Sequence, residues 1–346
     1  MRIRLASILV FAVGAVLLAG CGGKPNVGKP VVAFISNNPY EFWKIAEQGV
    51  RKAEKEFDVV CEFRMPSPGT AEKQREIIDD LLVKGVQGLA VSPNEAEHRV
   101  AYFKEINQRV PLIMQDSDLP DVSARRCYIG TDNVAAGREV GKLVLEVCPD
   151  GGEFVVFVGK LDVPNAVERR RGVCIELAGG EEQCKDELLQ LERGTYPIKF
   201  GKFTLLDTRT DDGKHDVCHD HARDVLVKHP DVKCLVGLWA YNPPAMLNAV
   251  KGTPGAADRV KIVGFDENEE TLEGIKKGEI YGTVVQNPFE FGYRAVKILA
   301  AFVRSDHDIL VVERADDQGR IYVPHRRITK ENVDKFHAEL KKLKGE

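Results

Sequence analysis

From Val31 onward, short apolar runs alternate with helical patterns, and this order limits the fold more than any other feature of the chain. A run of four to six apolar residues without polar alternation is stable as a strand only when both faces of its sheet are covered. The strand candidates are 31–36, 58–63, 88–91 and 111–114, followed by a second series at 153–158, 202–206, 233–238, 260–265 and 281–285. Helical patterns fill the gaps, as expected for parallel sheets covered by helices. The first helix, 40–56, begins an apolar stripe of Phe42, Ala46, Val50, Ala53 and Phe57, at spacings of four, four, three and four. Between the two series, Tyr128-Ile129-Gly130-Thr131-Asp132-Asn133 reads as a short strand and turn leading into the helix that opens the second series. The chain is therefore expected to be α/β, with two Rossmann-like lobes. Each would be a mostly parallel sheet flanked by helices, with a cleft between them as the natural binding site.

The residues before Val31 belong to neither lobe. Arg2 and Arg4 form a positive start, and Ile8 to Leu18 is an apolar run broken only by Gly14. That run is too short to span a bilayer and is bounded by small residues, so residues 1–20 read as a signal peptide rather than a transmembrane helix. The ending Leu18-Ala19-Gly20-Cys21 resembles the bacterial lipobox. The resemblance implies that Cys21 receives a diacylglycerol, becomes the first mature residue and is acylated, and two or more acyl chains anchor a protein stably. Residues 21–30, rich in Gly and Pro, would be the lipidated tether of an extracytoplasmic, membrane-anchored protein. Gly22 follows the cysteine where Asp would signal inner-membrane retention. Gly23 to Lys29 matches G-x-x-x-x-G-K, but Pro30 occupies the magnesium-binding hydroxyl position and a strand follows instead of a helix, so this is not a phosphate loop.

The formal charge of −4 falls to −6 once Arg2 and Arg4 are removed, which argues against nucleic acid as a partner. Export would leave Cys61, Cys127, Cys148, Cys174, Cys184, Cys218 and Cys234 in a compartment where disulfides form. The number is odd, so at least one stays free. Cys61 and Cys234 lie in strand-like runs and read as core residues; Cys174 and Cys184 flank Gly179-Gly180 and are spaced to close a short loop. None has C-x-x-C spacing. His215 and His219 share a helical face, but Asp216, Asp220 and Arg223 around them read as a solvated surface. Arg209 breaks the order of a calcium loop in 207–212. No nucleophile stands with a paired base, and neither G-x-S-x-G nor H-E-x-x-H occurs. The expectation is a protein without catalytic activity, metal or cofactor.

In open parallel sheets, ligands bind beyond the carboxyl ends of the strands. The loops there carry Asn37-Asn38-Pro39-Tyr40-Glu41-Phe42-Trp43, Ser92-Pro93-Asn94 and Gln115-Asp116-Ser117-Asp118 in the first series. In the second they carry Asp162 through Arg171, 207–212, Trp239-Ala240-Tyr241-Asn242, Asp266-Glu267-Asn268 and Gln286-Asn287-Pro288. Asp, Asn, Gln and Arg interleaved with Trp and Tyr suit a neutral polyol, whose adjacent hydroxyls need donors and acceptors and whose C–H faces need flat apolar partners.

The order N-N-P with aromatics, T-D-N-x-x-x-G (Thr131 to Gly137), E-R-R-x-G (Glu168 to Gly172), H-P-D-V (His229 to Val232), V-G-F-D (Val263 to Asp266) and V-V-Q-x-P-F-x-x-G (Val284 to Gly292) resembles the bacterial periplasmic sugar-binding proteins of the ribose-binding type, from about Val31 to Val323. The resemblance implies the type I periplasmic binding protein fold with three hinge segments, near Thr131, Gln286 and Gln318. The first lobe would comprise 31–131 plus about 287–317, and the second 132–286 plus about 318–346. It further implies a monomer that closes on a monosaccharide or similar polyol and delivers it to an ABC importer permease, or alternatively presents the closed form to a membrane kinase or chemoreceptor. Ligand contacts are implied at Asn38, Asp116, Arg169, Asn242, Asp266 and Gln286, with Ser92 where the ribose binders have an asparagine. The first loop has about two extra residues before Gly49, so Tyr40, Phe42 and Trp43 are all candidates to stack on the sugar; Trp43, at the helix mouth, is preferred. Ser117 replaces an arginine and the loop near Asp212 is acidic where an aromatic is usual, which points away from ribose itself.

Overall fold

The computed structural model describes residues 28–344, so the stretch read as a signal peptide, Cys21 and most of the expected tether lie outside the described residues. The strands are β1 (Val31–Ile35), β2 (Val60–Arg64), β3 (Leu89–Val91), β4 (Leu112–Gln115), β5 (Cys127–Gly130), β6 (Gly152–Val158), β7 (Ile198–Phe200), β8 (Phe203–Thr210), β9 (Val232–Gly237), β10 (Lys261–Phe265), β11 (Gly282–Val285), β12 (Arg320–Tyr322) and β13 (Arg326–Thr329). The helices are α1 (Glu41–Glu56), α2 (Ala71–Val83), α3 (Val100–Arg109), α4 (Asn133–Val147), α5 (Pro164–Ala178), α6 (Lys185–Arg193), α7 (His215–Lys228), α8 (Asn242–Gly252), α9 (Ala256–Arg259), α10 (Glu269–Lys277), α11 (Pro288–Val303), α12 (Ile309–Val312) and α13 (Val333–Lys344). They form two sheets flanked by helices, with orders β12-β5-β4-β3-β1-β2 and β13-β11-β10-β9-β6-β8-β7. The first is wholly parallel; in the second only the edge strands β7 and β13 run antiparallel. Strands β3, β4 and β5 are buried along their whole length, which is why they read as continuous apolar runs.

The chain passes between the sheets three times: from β5 into α4, from β11 into α11, and from β12 into β13. The third passage differs from the expectation. The chain after Gln318 was expected in the second lobe, yet Arg320–Tyr322 pairs with Tyr128–Gly130 in the first sheet, and the crossing falls at 323–325. β12 is a sheet-edge strand of three residues of which only Ile321 is buried, so it carries no continuous apolar run. Strand β7 was missed for the same reason; it lies in the long 180–200 connection and pairs back on β8.

Each lobe rests on a pair of helices crossing at glycines. In the first, a Cβ on Gly49 of α1 would lie 1.9 Å from the Phe289 carbonyl oxygen, and one on Gly292 of α11 would lie 2.0 Å from that of Ala46. In the second, Gly172 of α5 and Gly137 of α4 each leave a Cβ only 2.2 Å from the carbonyl oxygens of Val134 and Arg169. No side chain fits there, so the glycines of T-D-N-x-x-x-G, E-R-R-x-G and Q-x-P-F-x-x-G are contact points between backbones. α4 and α11 are also the helices that enter from a crossing, capped by Asp132 and Asn287. The close crossings therefore fix the hinge strands relative to each lobe.

Trp43 corrects the expectation made for it. Its ring is 2% exposed, packs edge-on to Phe34 and Phe42, and its Nε1 donates to Asn37 Oδ1 at 3.0 Å. α1 is covered by the sheet and by α11, and Ile45 shares an apolar cluster with Val285, Ile328 and Phe336. The buried arc is thus wider than one stripe and takes Trp43 into the core.

Candidate ligand-binding site

The two lobes present their binding candidates by the same backbone device. At the end of β4, Asp116 adopts φ 63° and its N–H donates to Ile129 O at 2.9 Å; at the end of β10, Asp266 adopts φ 66° and its N–H donates to Val284 O at 2.8 Å. Non-glycine residues rarely adopt positive φ, and Asp tolerates it better than most. Each strand stops there and turns its carboxylate across the end of the sheet.

Arg169 stands near both carboxylates. It projects from α5, is 2% exposed, and donates from Nε to Asn133 Oδ1 at 2.9 Å and from Nη1 to Leu238 O at 3.0 Å. Its guanidinium carbon lies 3.9 Å from the centre of the Phe265 ring, a cation–π contact. Among the described residues no carboxylate pairs directly with it, although Asp266 and Asp116 both favour its charge against burial. Burial pushes the Asp116 carboxyl up to about 6; Arg169 and hydrogen bonds from Ser92 and Ser117 hold it down, and Asp266 pushes it further up. Asp266 is raised as well, by burial against the pull of Arg169 and Gln286. Two acids and one cation thus share a poorly solvated site, where polar groups left without partners are costly.

Ser92 and Gln286 support the acids. Ser92 Oγ donates to Asp116 Oδ2 at 3.2 Å, and Gln286 Nε2 donates to Asp266 Oδ1 at 2.9 Å. Thr131 Oγ1 donates to Gln286 Oε1 at 2.8 Å, joining two of the three crossings directly. Beside these groups is a small cavity of about 80 Å³ whose lining includes Asp116, Tyr128, Asn133, Asn165 and Glu168. Asn165 Oδ1 is buried there without a partner, and burial raises the Glu168 carboxyl. A larger open depression, lined by Gln48, Arg51, Lys52, Lys55 and Glu56, lies on the far half of α1 and is a solvated charged surface.

Asp116, Ser92, Arg169, Asp266 and Gln286 therefore come together. Asn242 does not join them. It is fully buried, its Oδ1 accepts from Trp239 N at 2.9 Å, and its Nδ2 donates to Asp211 Oδ2 at 3.1 Å and Cys218 Sγ at 3.3 Å. With its amide groups engaged it organises the loop before α8, and the expectation of a ligand contact is corrected. Asn38 Oδ1 accepts from Tyr40 N at 3.0 Å, and Tyr40, 59% exposed, precedes α1. Phe42 is half-buried against Trp43 and Phe291.

Two groups went unrecognised in the sequence. Tyr128 is buried and its hydroxyl donates to the Asp116 carbonyl at 2.8 Å, which braces the positive-φ turn. Asp211, 3% exposed, accepts from Tyr241 Oη and Asn242. Beside that network the Trp239 ring packs over Gly159, with its Nε1 buried and unpartnered. The Asp-rich 207–212 run drew attention to the place, but nothing in it distinguished Asp211. All seven described cysteines, Cys174 and Cys184 among them, are thiols in this structure.

A family model described as a periplasmic binding protein domain matches residues 31–306. The chain belongs to that family. Periplasmic binding proteins are binding proteins rather than enzymes, and the family places this domain outside the cytoplasm. No helix among the described residues is long and apolar enough to cross a membrane. The chain is 24% identical over 299 residues to the ribose import binding protein of Salmonella typhimurium, covering 84% of this chain and 90% of that one. It is 23% identical over 281 residues to the D-allose-binding periplasmic protein of Escherichia coli, covering 78% and 82%. Among solved structures, an ABC transporter solute-binding protein from Burkholderia graminis in complex with D-arabinose has the same fold, with a TM-score of 0.73, 24% identity, and 88% and 97% of the two chains covered.

Proposed function

We propose that this periplasmic binding protein is a lipid-anchored receptor that takes a monosaccharide or related small polyol between its lobes and delivers it to an ABC importer. The observation that carries the reading is the convergence of Asp116 from the first sheet with Asp266 and Arg169 from the second. Carboxylates accept from adjacent hydroxyls and a guanidinium donates to ring or hydroxyl oxygens, so a neutral polyhydroxylated ligand satisfies all three groups at once. A ligand bound to both lobes favours the closed arrangement, because only there are both sets of contacts made. The names of the ribose- and allose-binding relatives agree with this class. A micromolar sugar corresponds to roughly 8 kcal/mol of net binding free energy. Trp239 is the aromatic we assign to the ligand's apolar face, in place of Trp43.

Two experiments test the reading. In a thermal-shift screen of the soluble domain against monosaccharides, polyols, sugar acids and amino acids, a monosaccharide or polyol should raise the melting temperature by mass action. A response to amino acids alone would overturn the ligand class. Cys21→Ser should release the protein from membranes with its fold intact; continued partition with membranes would remove the anchor. Signalling is the second reading, and the structural neighbour XylFII, 25% identical with a TM-score of 0.68, is solved as a complex with LytSN. Capture of a permease by the sugar-loaded form favours delivery, and capture of a sensor protein favours signalling.

A further inference from the structure

All seven described cysteines are more than nine-tenths buried, and Cys148 and Cys234 are brought together where the end of α4 meets β9. Cys148 caps the end of α4, is 8% exposed, and places its Sγ 3.9 Å from the Lys233 carbonyl oxygen. The next residue on β9 is Cys234, 1% exposed, whose Sγ lies 3.8 Å from the Leu235 carbonyl oxygen. Both belong to the apolar cluster between α4 and the second sheet, and the Cys148 sulfur packs on the peptide bond that joins Lys233 to Cys234. By contrast Cys184 turns its sulfur to Gly180 O at 3.3 Å, Cys218 receives Asn242, and Cys61 and Cys127 lie in the other lobe. We infer that Cys148 and Cys234 are the site of a disulfide that clamps the end of α4 to β9 in the oxidising compartment where the family operates.

The chemistry follows from accessibility. Cys148 is flanked by the exposed Pro149 and Asp150 and lies beside the exposed Lys233, whereas Cys234 is enclosed. Its contact with Cys234 lowers the Cys148 thiol below its ordinary value, while the same contact and burial raise Cys234. Cys148 is therefore the attacking group, as its thiolate. The oxidant is a disulfide, either an oxidised dithiol protein or a small disulfide. The Cys148 thiolate bonds to one donor sulfur, the donor S–S bond breaks, and its other sulfur leaves as a thiolate that takes up a proton. Cys234 then loses its proton and bonds to Cys148 Sγ, displacing the donor's first sulfur. Two electrons pass to the donor, and two thiols become one disulfide. The cystine needs its sulfurs about 2 Å apart, so oxidation requires the Cys148 side chain to rotate about its Cα–Cβ bond toward Cys234.

The linkage closes a long segment of the second lobe, containing β6, α5, β8 and α7, so the unfolded chain loses much of its freedom. It lies at the amino end of β9, opposite the end that leads to Trp239, and should leave the cleft unchanged.

The test uses the full mature protein, reduced with dithiothreitol, exposed to oxidised glutathione, blocked with N-ethylmaleimide, denatured and mapped by mass spectrometry. A peptide pair joining Cys148 to Cys234 is expected, together with a melting temperature roughly 5 °C or more above that of the reduced protein. Cys148→Ser should abolish both the joined peptide and the redox dependence of melting, with sugar affinity unchanged. Recovery of Cys148 as a lasting mixed disulfide with glutathione, or of both residues unlinked, would overturn the inference. So would linkage of either to another cysteine.

Discussion

In the first lobe α1 and α11 cross where Gly49 faces Phe289 and Gly292 faces Ala46; in the second, α5 and α4 cross where Gly172 faces Val134 and Gly137 faces Arg169. Counted back from the first helix's glycine, the same positions carry Ala46 and Trp43 in one lobe and Arg169 and Ala166 in the other. Both lobes end an inner strand with an aspartate at positive φ. One backbone frame is thus filled in two ways. The first lobe spends its first helix on an aromatic core, with Trp43 against Phe34 and Phe42. The second uses the corresponding helix to bury a guanidinium held by Asn133, Leu238 and the Phe265 ring. The first helix is therefore given to packing in one lobe and to recognition in the other, although both lobes offer an aspartate to the ligand, and a substitution on these helices should act accordingly.

The largest contrast should come from the two tryptophans. Trp43→Ala is expected to cost about 3–5 kcal/mol of stability, as for a large buried aromatic, and Trp43 emission should not report ligand. Trp239→Phe should cost much less stability and remove the ligand-dependent fluorescence change. Chemical denaturation and emission titrations of both variants check this; a ligand-sensitive Trp43 would erase the division.

The glycine crossings offer a second contrast. Gly172→Ala and Gly292→Ala should each lower stability by roughly 2–3 kcal/mol, because a methyl group at either meets backbone that must shift. Gly172→Ala should also lower sugar affinity about tenfold, since α5 carries Arg169, whereas Gly292→Ala should leave the affinity of the folded fraction near that of the parent. Equal affinity losses would show that the lobes are not specialised in this way.

A smaller effect distinguishes the carboxylates. The Asp116 pKa is raised in the fold to about 6. The native state therefore holds more protons than the unfolded chain between about pH 4 and 6. Across that window stability contributed by this group falls as pH rises, and above it the ionised carboxyl destabilises the ligand-free protein. Asp116→Asn should raise ligand-free stability at pH 7 on the order of 2 kcal/mol while weakening sugar binding. Binding to the parent should weaken below about pH 6 as the acceptor is protonated. Melting curves of parent and variant from pH 4.5 to 8 should converge toward the acid end.

Much of this arrangement was legible in the chain. The apolar runs placed β1 to β4, β6 and β9 to β11 within about three residues, because all of these except the edge strand β2 are buried along nearly their whole length. The strand-end loops drew attention to Asp116 and Asp266, and the family resemblance singled out Ser92, Arg169 and Gln286; the fold brings these side chains together. What was not legible depended on distant partners. Asn242 has the right chemistry for a ligand contact, but Asp211 and Cys218 occupy its amide, and neither connection has a local sequence signal. Trp43 lay beside one apolar stripe, and only the covering by α11 extends the buried arc to it. Strands β7, β12 and β13 are three or four residues long and pair at sheet edges, where periodicity is weakest.

The central claim, that one ligand is held by both lobes at once, is most directly tested by titration calorimetry of the sugar found in the screen against the parent, Asp116→Ala and Asp266→Ala at pH 7.5. Each variant removes a charged acceptor from a different lobe, so each should lose about 1.5–3 kcal/mol of binding free energy, at least a tenfold fall in affinity. An Asp116→Ala protein that binds as tightly as the parent, beside an Asp266→Ala protein that does not, would show that the second lobe holds the ligand alone and would contradict the account.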